Sequence, residues 1–143
     1  MYRRYTADML RSNLHEIFVK FAAVLVHLFG SQVTGRLGPM SDVDLAVLWD
    51  DKEQQPMMKS LALQEAVRTK LQDEKFEIGP LNEQPLSFCY NVIKDGVCIF
   101  GKESDRVRYE TYILNEYLDF LYLAEEYNKA FTKAVCEEKR IDK

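Results

Sequence analysis

Apolar residues recur at Leu10, Leu14, Ile17, Phe18 and Phe21, a spacing that predicts an amphipathic helix from near Thr6 to about Lys20. Val24 to Phe29 is instead an unbroken apolar run stopped by Gly30, the pattern of a strand buried on both faces. Ser31 to Thr34 can make one helical turn, with Gly35 supplying a left-handed stop. Gly38-Pro39 marks a loop, and Val43 to Trp49 reads as a second apolar strand. Pro56 suits the first position of the next helix, with Leu63, Val67 and Leu71 as its apolar stripe. Phe76 to Ile78 reads as a short strand closed by Gly79-Pro80, Pro85 to Ile93 as a short helix, and Val97 to Phe100 as a strand entered through Asp95-Gly96. From about Asp105 to Val135 there is neither Gly nor Pro, and Leu114, Leu118, Leu121 and Ala124 mark one face of a long helix. Strands and helices in this order predict a small α/β or α+β domain, one mixed sheet flanked by helices.

At 143 residues the chain has the length of a single domain, spanning 1–143, with room for a real core. A net charge of −4 argues against a general nucleic-acid binder, which would carry a basic excess. A nucleotide remains within reach of a few local groups and a metal. Cys89, Cys98 and Cys136 are odd in number, lack C-x-x-C spacing and sit in apolar sequence, so they read as buried free thiols. Met1 to Asp8 has no signal-peptide character, and the apolar stretch Phe21 to Phe29 is too short to span a bilayer and contains His27. The expectation is a cytoplasmic protein with no membrane contact.

The chemistry concentrates in Gly30-Ser31, ten residues, then Asp42-Val43-Asp44-Leu45. A buried strand ending in Gly30-Ser31 before a helical turn presents backbone N–H groups to an anion, with Gly30 permitting close approach and Ser31 adding a hydroxyl. Asp42 and Asp44 lie two apart at the start of a strand, so both carboxylates point to one face with Cα atoms roughly 6.5–7 Å apart. Two carboxylates beside a phosphate cradle suit octahedral Mg²⁺, whose shell phosphate oxygens and water complete. Asp44 within an apolar strand also calls for a charge partner, which a cation would provide. The plainer reading has Asp42 capping a turn and Asp44 at an exposed edge.

Gly30, Ser31, Gly35, Ser41, Asp42 and Asp44 together resemble the Gly-Ser-x10-Asp-x-Asp signature of the DNA polymerase β-like nucleotidyltransferase superfamily. At background frequencies of about 5–7% per residue, six such identities at fixed spacing arise by chance on the order of 10⁻⁷ of the time. The chain is most similar to the minimal MNT nucleotidyltransferases, often antitoxins paired with HEPN-domain toxins. Less specific features extend the resemblance over most of the chain: Leu81-Asn82-Glu83, the Gly96 turn and the tyrosine-rich C-terminal helix. It implies a polymerase β-like fold and three acidic residues, the third falling at Glu77 in place of the usual Asp. Alternation can turn Glu77 toward the site while Phe76 and Ile78 enter the core, where it would complete the metal set or accept a proton. An exposed edge glutamate is the alternative. Basic residues common after Gly-Ser in the family are missing from Gln32-Val33-Thr34, leaving Arg36 as the nearby candidate for the phosphates, or as a solvated loop residue.

The resemblance implies an Mg²⁺-dependent transfer of AMP from ATP to a tyrosine of a cognate HEPN RNase toxin, with the two proteins in a hetero-oligomer. Asp42, Asp44 and Glu77 would be the catalytic and metal-binding set, and Gly30, Ser31, Arg36 and Ser41 would bind the nucleotide. Drug-modifying relatives add a helical domain that shapes a small-molecule pocket, whereas one long helix follows the sheet here, which favours a protein acceptor. Two rivals are an antitoxin that neutralises its partner by binding alone and an adenylyltransferase acting on a small molecule such as an aminoglycoside. His15 and His27 are too far apart to suggest a ligand pair, and His27 reads as a hydrogen-bonded core residue. Nothing brings Ser31 and His27 together as a nucleophile and base. Tyr109, Tyr112, Tyr117, Tyr122 and Tyr127 read as packing and interface residues of one helix, and Glu137 to Lys143 as a frayed, solvated tail.

Overall fold

A computed structural model describes residues 5–30 and 42–141. The expected turn at Ser31 to Thr34, the stop at Gly35 and the Gly38-Pro39 loop lie outside the described residues. The elements run α1 (Ala7–Lys20), β1 (Leu25–Phe29), β2 (Val43–Leu48), α2 (Pro56–Leu71), β3 (Phe76–Pro80), α3 (Leu86–Asp95), β4 (Val97–Phe100) and α4 (Glu103–Ile141). They form the mixed sheet with flanking helices that the pattern predicts, in the strand order β3-β2-β1-β4. β1 pairs antiparallel with β2 and β4, while β2 and β3 run parallel across the α2 crossover.

Sequence explains the local choices. Thr6 caps α1, its hydroxyl accepting from the Met9 N–H at 3.2 Å, and Asp8 sits favourably in the first turn. Pro56 occupies the start of α2 as expected. One sheet face packs on α1 and α2 through Leu14, Phe18, Leu45, Leu63, Val67 and Phe76, all buried. The other face packs on α3 and the first turns of α4 through Ala46, Leu81, Cys89, Val92 and Ile113.

Three expectations are corrected. Gly79-Pro80 does not close β3 but continues it, pairing with Ala46 and Val47. β3 is an edge strand, and a proline is tolerated there when its missing N–H faces outward. The α4 face marked by Leu114, Leu118 and Leu121 is exposed, while Ile113 is buried and Tyr109 and Tyr117 are half-buried. The tail expected to fray is helical as far as Ile141. Cys89 is buried, but Cys98 is only partly so and Cys136 is exposed.

His27 is fully buried, as expected, but without the hydrogen bond expected of it: neither ring nitrogen has a partner among the described residues. Glu110 Oε1 lies 3.9 Å from Nε2, beyond hydrogen-bond range. Burial holds the imidazole below its ordinary value, with Glu110 pulling the other way and Arg106 adding to the depression.

Candidate functional site

β1 and β2 meet so that Phe29 pairs with Asp44, and β2 meets β3 so that Asp44 pairs with Glu77. Asp44 therefore stands mid-sheet, on the face opposite Val43 and Leu45, which are buried against α1 and α2. Asp42, half-buried, immediately precedes β2. Glu77 is exposed between buried Phe76 and Ile78, the alternation read from its neighbours.

Gly30 closes β1 with φ +82°, and a Cβ there would lie 2.5 Å from Asp44 Oδ2. Only glycine leaves room for that carboxylate. Burial raises the Asp44 carboxyl above its ordinary value, and the Glu77 and Asp42 carboxylates push it further the same way. A cation would relieve the cost of keeping Asp44 ionised beside these two neighbours. Among the described residues, no three His, Cys, Asp or Glu side chains already stand close enough to cage a metal unaided. Mg²⁺ ordinarily takes one or two carboxylates and completes its octahedron with water and phosphate oxygens, so the residues present fit it. Ser31, Arg36 and Ser41 lie outside the described residues.

Beside these acids is a cleft of about 370 Å³ lined by Phe29, Asp44, Gln64, Arg68, Glu77 and Phe88, among others. Phe29 and Phe88 meet edge to face at 5.8 Å. Gln64 and Arg68, on α2, escaped the sequence reading; their four-residue spacing puts them on one helical face, but nothing in the chain's pattern ties that face to the acids. A larger cleft, about 690 Å³, lies between α1 and the β4–α4 junction. Two of its cations are already engaged, Arg11 with Asp8 and the Cys98 carbonyl, Arg106 with Glu110 and Glu103. Asp44 and Glu77 line the smaller cleft and not the larger one.

Asn82, part of the Leu-Asn pair, is not in the cleft. Its amide brackets the Trp49 backbone, accepting from the N–H at 2.8 Å and donating to the C=O at 2.9 Å. It ties the end of β2 to the residues following β3.

A family model described as Polymerase beta, Nucleotidyltransferase matches residues 12–105, well over half of the chain. None of the curated proteins matches it in sequence. Among solved structures, a toxin–antitoxin structure with AMP-PNP contains a chain 20% identical, TM-score 0.65, with 77% of this chain and 88% of that one covered. The structure of the tri-AMPylated Shewanella oneidensis HEPN toxin in complex with MNT antitoxin contains one 17% identical, TM-score 0.62, covering 80% and 89%. The toxin–antitoxin structure MntA-HepT gives 17% identity, TM-score 0.61, and 79% and 88% coverage. At these identities the likeness carries the fold. The signature of Gly30, Asp42 and Asp44, the mixed sheet and the family match agree, and the chain belongs to the polymerase β nucleotidyltransferase family.

Proposed function

We propose that this chain transfers AMP from ATP to a protein acceptor, a tyrosine of a cognate HEPN RNase toxin, and thereby serves as that toxin's antitoxin in the cytoplasm. The observation that carries the reading is the junction of Gly30, Asp44 and Glu77 on three adjacent strands, with the Asp44 carboxylate filling the space a Cβ at residue 30 would take. Similar folds occur in structures whose own components are a toxin, an antitoxin and, in one, AMP-PNP. The whole chain, 1–143, would act as one minimal domain.

Asp44, together with Asp42 or Glu77, would hold Mg²⁺. When bound, the ion neutralises phosphate charge and polarises the phosphoryl group. The chain's own residues do the rest. The Gly30 backbone and Ser31 grip the triphosphate, with Ser41 and Arg36 contributing to the same cradle. An acceptor hydroxyl entering along the cleft attacks the α-phosphorus, forming the new P–O bond as the bond to pyrophosphate breaks. Glu77, the most solvent-accessible of the three acids, would accept the hydroxyl proton on its carboxylate. Positioning, more than covalent participation, carries the rate.

ATP labelled at the α-phosphate, with Mg²⁺ and the product of the neighbouring reading frame as the candidate HEPN partner, tests the reading: label should pass to that protein and its RNase activity should fall. A second reading is favoured by the exposed apolar side chains of α4, among them Leu118, Leu123, Tyr127 and Phe131, which suit neutralisation by binding alone. Inhibition without label transfer, unchanged in Asp42→Asn/Asp44→Asn, would select it.

A further inference from the structure

β3 is the sheet's edge, so alternate backbone groups of the strand face away from β2. The outward groups on either side of Glu77 are the Phe76 carbonyl and the Ile78 N–H, and both are taken by side chains of α2. Arg68 Nε donates to the Phe76 carbonyl at 2.8 Å, and Gln64 Oε1 accepts from the Ile78 N–H at 2.9 Å. Gln64 and Arg68 are one helical turn apart, and both line the cleft that contains Asp44 and Glu77.

The geometry points to Gln64 and Arg68 as positioning residues that hold the backbone of Glu77 from outside the sheet and so fix where its carboxylate meets Asp44. This rests on the role given to Glu77 above. A glutamate has one more rotatable bond than an aspartate, so its carboxylate position depends more on how firmly its own backbone is held. Inside the sheet that backbone is held by pairing with β2; the Val43 N–H donates to the Lys75 carbonyl and the Leu81 N–H to the Val47 carbonyl, each at 2.8 Å. Were the α2 pair removed, solvent would take its place outside the sheet. Water would satisfy the two groups energetically but would not fix the strand's position. The clamp thus converts a satisfied edge into a rigid one, beside the residue whose placement matters most.

The test is a double-mutant cycle in the ATP-labelling assay. Gln64→Met removes the acceptor with little change of size and none of charge. It is expected to lower kcat about tenfold while leaving KM for ATP within about twofold, because a small displacement at one catalytic group is felt in the transition state. In a Glu77→Gln background the same change should cost less than about twofold, since the group it acts through is already disabled. Arg68→Lys, which keeps a donor, should retain most of the activity that Arg68→Met loses. Apart from activity, the Ile78 amide should exchange faster in Gln64→Met, and Mn²⁺ should bind the AMP-PNP complex more weakly. If Gln64→Met fails to fold, the Arg68 pair decides alone. An equal loss from Gln64→Met in both backgrounds, or equal activity in Arg68→Lys and Arg68→Met, overturns the clamp. Impairment in Glu77→Gln with none in Gln64→Met also overturns it but leaves the functional reading standing. A fully active Glu77→Gln overturns the role of Glu77 and the clamp with it.

Discussion

Gly30 and Asp44 share one space: the position a Cβ at residue 30 would occupy lies 2.5 Å from Asp44 Oδ2. Gly30→Ala must therefore displace the carboxylate, and it also places a side chain at φ +82°. We expect a loss of at least about 1 kcal/mol in stability from the backbone conformation alone. The expected loss of transfer rate is larger, about 100-fold, because the displaced group belongs to the reacting centre. Melting curves and labelling rates measured together separate the two effects.

His27 should make stability depend on pH. Its folded value lies below the ordinary 6.5, chiefly through burial. The unfolded chain therefore binds the extra proton more readily, and stability present above about 6.5 is lost as the pH falls below it, by at most about 1.4 kcal/mol per pH unit. The groups facing the ring are Glu110 and Arg106 of α4 and, across the β1–β4 register, Cys98. His27→Leu removes two unpartnered ring nitrogens and should flatten the dependence. Thermal melts at pH 7.5 and pH 5.5 check this; a variant as pH-sensitive as the parent would refute the assignment.

Three hydrogen bonds from two partners anchor Trp49. Asn82 brackets its backbone, and its indole N–H donates to Ser60 Oγ at 2.8 Å, which in turn donates to the Pro56 carbonyl at 2.8 Å. Ser60→Ala leaves the indole N–H unpaired in the core and should cost about 1–3 kcal/mol, a fall of roughly 3–10 °C in Tm. Its transfer rate well below Tm should be unchanged, since Trp49 does not line the acidic cleft.

Much of this was legible in the chain before any coordinates. Gly30, Asp42 and Asp44 stood out because the chemistry demands fixed residue types at fixed spacing, whereas Glu77 was named only by the third acidic position that the family resemblance implies, with alternation able to turn it outward. The length of β3 was not legible, because Gly79-Pro80 has the chemistry of a turn and only an edge position makes it acceptable within a strand. Which face of α4 meets the sheet was not legible either, because its leucines and its tyrosines both recur at helical spacing. Gln64 and Arg68 could be found only once α2 was seen to lie along the outer edge of β3.

Asp44→Asn keeps the shape of the side chain and removes its charge. The folded carboxyl is raised by burial, Glu77 and Asp42, so its proton is held more tightly in the folded chain, and keeping it ionised at neutral pH costs stability. The amide removes that cost, and Tm at pH 7 should not fall. The rate at which label from α-labelled ATP passes to the partner protein should nevertheless drop at least about 100-fold, because the chemical step loses several kcal/mol of charge stabilisation. A well-folded Asp44→Asn protein transferring label at nearly the parent rate would contradict the assignment of this site.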